Sequence, residues 1–222
     1  MPKLNSTTRI LRYHGASLRA SDRGILESAT AWFNDRVLAF GLEAIAHASP
    51  IAPYAESIAF LEPSASFMFS FLDCESVKLQ ISPLNLGDMS FVIVPVNDNE
   101  DLELANGGSH WSLLALNCKT HTFSYFDSGY GTTNERIARS LARVLHTILF
   151  QNDAGPSVQF VVCDDCAKQE NSFDCGLHLI NNALAYLANE CSLAAIAPSA
   201  RFTRKSLLQI LDDQAELVLL EE

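Results

Sequence analysis

A thiol, an imidazole, a carboxylate and a side-chain amide stand in this chain among neighbours that suit covalent hydrolysis of an amide. Cys175 lies in the stretch Gln169-Glu-Asn-Ser-Phe-Asp-Cys-Gly176, and upstream are Gly107-Gly-Ser-His-Trp111 and a segment ending at Asp127. Covalent amide cleavage at neutral pH needs a thiolate, a base that generates it and later protonates the leaving amine, and a donor for the oxyanion. Cys175 fits the first role and His110 the second, with Asp127 to orient the ring. Gln169, six positions before the thiol, offers an amide to an oxyanion hole shared with the backbone of Cys175.

The elements that must position these groups are legible in the local pattern. Asp174 is a good N-cap residue, and Cys175 to Leu187 carries Leu177, Ile180, Leu184 and Leu187 at helical spacing. Cys175 then sits in the first helical turn. Unpaired amides and the helix dipole favour an anion there, and such settings can lower a thiol pKa from about 8.5 to roughly 3.5–7.5. Gly176 is expected to leave room for a substrate backbone. Trp111 to Leu116 reads as a strand opened by Gly107-Gly108, and Thr122 to Phe126 as a second strand. Antiparallel pairing through a turn near Asn117 to Thr120 brings His110 beside Asp127. Taken singly, each residue has a plainer role: an inert buried thiol, a packed histidine, cap and turn aspartates. The joint pattern sets them apart.

The whole constellation resembles the Ulp/SENP family of ubiquitin-like-modifier cysteine proteases, and within it the deneddylase branch. The resemblance runs from near Tyr13 through Leu18-Arg-Ala-Ser-Asp22, Trp32-Phe-Asn-Asp35, Asn97-Asp-Asn99, Gly107-Gly-Ser-His-Trp-Ser-Leu-Leu114 and Gln169 to Gly176. It implies an α+β, papain-like fold: a mixed central sheet flanked by helices, with the nucleophile at a helix N-terminus. It also implies Cys175 as nucleophile, His110 as general base and acid, Asp127 as orienter and Gln169 as oxyanion donor. Trp32 and Trp111, the two tryptophans of the chain, would wall a tunnel for a Gly-Gly tail, where any β-carbon clashes. Asp35 would meet a basic residue near that tail, and Asn97 and Asp98 would join the substrate-binding set. Glu100, Asp101 and Glu103 make the loop before Gly107 more acidic than the family pattern, and Lys168 and Cys163-Asp-Asp-Cys166 depart from it before the nucleophile.

The chain's 222 residues are read as one protease domain, 1–222, with residues 1–10 as a flexible lead. A net charge of −11 argues against a nucleic-acid partner, which is bound by Lys and Arg, and favours a basic protein. Six cysteines in a chain of this size without a signal peptide point to reduced thiols in cytoplasm or nucleus. No run approaches the roughly twenty apolar residues of a membrane span. A monomer without cofactor or metal is expected, acting on a Nedd/Rub-type modifier and its conjugates. The alternatives are a protease for SUMO or ubiquitin, a non-catalytic modifier-binding module, and a Cys-His acyltransferase. Cys163 and Cys166, with His178 nearby in sequence, raise a zinc or redox reading, although a structural zinc wants four ligands.

Helices are predicted at Leu18 to Ile25, Asn34 to His47, Ser64 to Leu72, Thr132 onward through Ile137, Leu141 and Ile148, and Thr203 to Leu219. Further strands are predicted at Phe91 to Val96, where Pro95 needs an edge or a spared hydrogen bond, and at Ser157 to Cys163. Arg136, Arg139 and Arg143 are expected to face solvent.

Overall fold

In the computed structural model, which describes residues 6–104, 107–131, 134–150, 158–191 and 201–220, an antiparallel ribbon comes first. It consists of β1 (Arg9–Tyr13) and β2 (Ala16–Arg19), followed by helices α1 (Ala20–Glu27) and α2 (Asp35–His47). Arg9 and Ile10 therefore belong to a strand and not to a lead; residues 1–5 lie outside the described residues. Leu18 is a strand residue too. Leu11, Tyr13, Ala16 and Leu18 alternate inward, and this two-residue period ends only where α1 begins at Ala20.

The central sheet has five strands in the order β3 (Ile58–Phe60), β4 (Phe91–Asn97), β5 (Trp111–Asn117), β6 (Thr122–Phe126) and β7 (Gln159–Val162). The middle three form an antiparallel meander, and each edge strand runs parallel to its neighbour. Parallel neighbours require a crossover. Helices α3 (Pro63–Phe69) and α4 (Cys74–Ile81) lie between β3 and β4, and α5 (Asn134–Phe150) between β6 and β7. All three pack on one face, over Val92, Val94, Val96, Leu114, Leu116 and Phe123. Ile93, Leu113 and Ala115 point to the other face, beneath α2, α6 (Cys175–Glu190) and α7 (Arg204–Leu220). The mixed, helix-flanked α+β architecture is the expected one. β3 and α4 were not anticipated, because a three-residue strand and a two-turn helix are too short to show a period.

Pro95 lies in a strand with neighbours on both sides, yet the ladder with β3 ends at Ile93, which leaves that side of β4 free of strand pairing at Pro95. The expected capping box of α5 begins at Thr132, outside the described residues, as does Ser157 before β7. Of the three arginines on α5, Arg136 and Arg143 are exposed as expected, Arg136 pairing with Glu100, while Arg139 is half-buried over the Phe160 ring, 4.2 Å from its centroid, and bridges to Glu135. Among the described residues no helix is long and apolar enough to cross a membrane.

Candidate active site

The register of the meander brings base and carboxylate together. Leu113 faces Phe126 across β5 and β6; carried one step on, Ser112 is opposite Asp127, and His110 is its diagonal neighbour two residues away, within reach of long side chains. The turn that sets this register is held by Asn117 Oδ1, which accepts from the amides of Lys119 at 3.0 Å and Thr120 at 3.1 Å. His110 Nε2 and Asp127 Oδ1 are 2.6 Å apart. A carboxylate only accepts, so Nε2 carries the proton and Nδ1 is left to Cys175, with which the ring makes its other side-chain hydrogen bond. The Gly129 amide at 2.8 Å and the Tyr125 hydroxyl at 2.7 Å also donate to Asp127, one to each oxygen. This carboxylate has little freedom to turn.

Burial draws the pKa of His110 down, but the bonds to Asp127 and Cys175 outweigh it and lift the value to about 9. The ring is therefore set up to remain an imidazolium at neutral pH. Cys175 is only 1% exposed and is the first residue of α6, within the field of the helix N-terminus.

Several residues hold this half of the site in place. Asp98 Oδ1 accepts from the amides of Ser109 at 2.6 Å and His110 at 2.9 Å, and Oδ2 from the Ser109 hydroxyl at 2.7 Å. Asn97 Nδ2 faces the His110 carbonyl at 3.4 Å, and buried Asn134 Nδ2 bonds the Ser112 hydroxyl at 2.9 Å and Val96 O at 3.1 Å. Asn97 and Asp98 thus fasten the loop that carries His110, and they also line the cleft and its outward continuation, where substrate contacts were expected of them. Gly108, at φ +86°, has no room for a side chain: an added Cβ would lie 2.2 Å from Asn97 Oδ1.

The turn before the nucleophile departs from expectation in two ways. Asp174 occupies the N-cap position, but its side chain makes no capping bond; it accepts from Asn171 Nδ2 at 2.9 Å and from the Arg204 guanidinium at 2.8 Å. Gly176 is required by Phe33, which was not anticipated, since a Cβ there would lie 2.8 Å from Phe33 Cβ. Gln169 accepts from the Ser128 hydroxyl at 2.8 Å and donates to the Asn171 carbonyl at 2.6 Å, leaving one amide hydrogen for another acceptor. Asn171 Oδ1 in turn accepts from the amides of Phe173 and Asp174 at 3.0 and 2.9 Å.

A cleft of about 330 Å³ joins Cys175 and His110 to Trp32, Trp111, Asp35, Asn97 and the Gly107-Gly108 backbone. The two indoles differ. Trp32 is 46% exposed, whereas Trp111 is 8% exposed and donates Nε1–H to the Phe33 carbonyl at 3.0 Å. Asp35 stands in the first turn of α2, capped by Asn34, whose Oδ1 accepts from the Val37 amide at 3.0 Å; burial raises the Asp35 pKa. Gln169 and Tyr130 continue the cleft outward beside Trp32. The acidic loop is a chain of side-chain-to-backbone turns, Asp101 N to Asn99 Oδ1 and Glu103 N to Asp101 Oδ1, both 2.9 Å, with Glu100 paired to Arg136. Residues 105–106 lie outside the described residues.

Cys163, Cys166 and His178 line a separate cavity of about 530 Å³ that contains neither Cys175 nor His110. Cys166 Sγ is bonded to the Asp127 carbonyl at 3.2 Å, and the His178 ring to the backbone of Ala167. Among the described residues no three His, Cys, Asp or Glu side chains are arranged to hold a metal ion.

Sequence reasoning missed Ser128, Tyr125, Asn171, Phe33 and Arg204. An asparagine two residues before Phe173 is a turn signal that pointed to Asn171; Arg204, thirty residues from Asp174, left no local sign.

The comparisons with known proteins agree with this geometry. A model of the Ulp1 protease family, C-terminal catalytic domain, matches residues 31–192. The chain is 35% identical over 186 residues to NEDD8-specific protease 1 of Arabidopsis thaliana, covering 82% of this chain and 77% of that one. It is 30% identical over 184 residues to sentrin-specific protease 8 of Homo sapiens, covering 81% and 82%. The C-terminal Ulp1 protease domain solved in complex with Smt3, the yeast ortholog of SUMO, has the same fold, with a TM-score of 0.69 at 18% identity over 96% of this chain and 91% of that one. The sheet that sets His110 against Asp127 and the helix that begins at Cys175 form the candidate active site of a cysteine-type peptidase, and the chain belongs to the Ulp1 protease family.

Proposed function

We propose that this peptidase cleaves after the C-terminal Gly-Gly of a Nedd/Rub-type modifier, maturing its precursor, releasing it from conjugates, or both. The observation that carries the reading is the cleft at Cys175, walled by Trp32 and Trp111 and by glycine backbone at Gly107-Gly108. A tail without β-carbons fits between such walls, and a bulkier one meets them. The Nedd-type preference is supported by the segments Asn97 to Asn99 and Gln169 to Gly176 and by the relative named as NEDD8-specific. Asp35 in the cleft, with Asp101 and Glu103 on the loop before Gly107, offers negative charge to a basic tail residue.

The Cys175 thiolate attacks the terminal glycine carbonyl, and an S–C bond forms. The oxyanion is held by the Cys175 amide and the remaining amide hydrogen of Gln169. His110 passes its proton to the amine as the C–N bond breaks. Water then attacks the thioester and gives a proton to His110 as the S–C bond breaks, releasing the modifier's carboxyl and returning the Cys175 thiolate. Fluorogenic C-terminal reporters of the Nedd-type modifier, ubiquitin and SUMO test this with the wild type and Cys175→Ala in parallel. Release from the first alone, absent in the variant, is the expected result. Release from SUMO or ubiquitin instead replaces the modifier but keeps the chemistry, and activity in Cys175→Ala overturns the mechanism.

A further inference from the structure

Arg204 lies beyond the stretch matched by the family model, yet it reaches the catalytic turn. It opens α7, and its side chain is 12% exposed. Its Nη2 and Nε donate to Asp174 Oδ1 at 2.8 and 3.2 Å, and Nη1 donates to the Ile25 carbonyl in α1 at 3.2 Å. The guanidinium also covers the Phe33 ring, 4.7 Å from its centroid. Phe33 is in turn pressed against Gly176 and accepts the Trp111 indole through its carbonyl. One side chain therefore grips the residue before the nucleophile, and also the ring packed on the residue after it.

We propose that Arg204 is a positioning residue for Cys175: it fixes the nucleophile turn against the Phe33 wall and matches the charge of Asp174, which would otherwise oppose the thiolate. Asp174 does not cap α6; its carboxylate, one residue before the nucleophile, has the neutral Asn171 amide on one oxygen and the Arg204 cation to answer its charge on the other. The other ionisable groups around Cys175 are His110 just before β5, Asp35 of α2 in the same cleft, and His178 one turn along α6. His178 feels the charge of Asp174 and donates its amide to the Asp174 carbonyl at 2.9 Å, but the side-chain bonds to the Asp174 carboxylate from a cation are those of Arg204. The inference rests on the thiol chemistry and not on the choice of modifier.

The test is the pH dependence of Cys175 alkylation by iodoacetamide, followed at that residue by mass spectrometry, together with kcat and KM on the reporter that the wild type cleaves. Arg204→Met is expected to move the alkylation midpoint up by about one pH unit and to lower kcat more than it raises KM. Adding Asp174→Asn should bring the midpoint back. Arg204→Lys keeps the charge without the planar fork, so its midpoint should stay near that of the wild type while kcat falls about tenfold. A lower melting temperature in Arg204→Met with an unmoved midpoint would reduce Arg204 to structural support and overturn the proposal. Should Arg204→Met not fold, Arg204→Lys at wild-type kcat overturns the positioning role, and a raised midpoint in Asp174→Asn alone overturns the charge argument. A wild type silent on every reporter would count against the proposed substrate while leaving the alkylation result readable.

Discussion

The two halves of this site are built by different means. His110 and Asp127 stand at the ends of adjacent strands, and main-chain register places them. Cys175 follows a turn, residues 169–174, that contains no regular element and is held by its own Asn171 and by side chains from distant parts of the chain, Ser128 and Arg204. A sheet sets position through many cooperative hydrogen bonds, so single substitutions there should alter chemistry more than geometry. A turn fastened by a few side chains should do the reverse.

The largest effect is expected in the sheet half. Asp127→Asn removes the charge that holds His110 as an imidazolium, and kcat/KM should fall about 10²-fold or more. The pKa of His110 is raised to about 9 largely by Asp127 and Cys175, against the pull of burial. Loss of the carboxylate lowers it, so the alkaline limb of the pH–rate profile should move to lower pH. Melting temperature should change little, because the register is made by backbone. A large stability loss with an unmoved alkaline limb would break the contrast between the two halves.

In the turn half, Asn171→Ala removes acceptors for two backbone amides and a donor to Asp174. About 1–2 kcal/mol of stability should go with them, and kcat should fall about tenfold with the pH profile unchanged in shape. Tyr125→Phe, which removes one of the bonds to the Asp127 carboxylate, is the matched control in the sheet half and should cost less than about threefold in kcat. Equal losses in the two variants would show that both halves tolerate the removal of a single support equally.

The same division explains what could be read from the sequence. His110 beside Asp127 followed from a hairpin whose strands and turn are local patterns, and the helix after Cys175 from the spacing of Leu177 to Leu187. Arg204, Phe33 and Ser128 were illegible because their partners lie far along the chain, and nothing in an arginine's neighbours says which carboxylate it will meet. Asp174 and Gly176 were visible but given the wrong partners. An aspartate before a helix usually caps it, and a glycine beside a nucleophile suggests an approaching substrate; here Arg204 and Phe33 occupy those places. β1 and β2 were missed for a simpler reason: four or five residues show too little period to outweigh a neighbouring helix.

The smallest effect on activity is expected where the wall of the cleft is anchored. Asp22 is fully buried and accepts from the Arg19 amide at 2.8 Å, from Asn34 Nδ2 at 2.8 Å, and from Arg36 Nε and Nη2 at 2.7 and 2.8 Å. Burial pushes its pKa up, but the hydrogen bonds from Arg36, Asn34 and Arg19 prevail and hold it below the ordinary carboxylate value. A carboxyl whose pKa is depressed on folding stabilises the protein above its unfolded pKa, and that stabilisation is lost as the pH falls through the folded value. Asp22→Asn should therefore lower stability at neutral pH by about 1–3 kcal/mol, measured by urea unfolding, and the gap from wild type should close as the pH drops through and below the carboxylate range. Asn34 caps α2 directly after Trp32 and Phe33, so KM for the reporter should rise slightly, about twofold to threefold by analogy with a weakened cap, while kcat holds. A stability gap that persists undiminished in acid would mean that the shape of Asp22, and not its charge, ties the Trp32 wall to the rest of the fold.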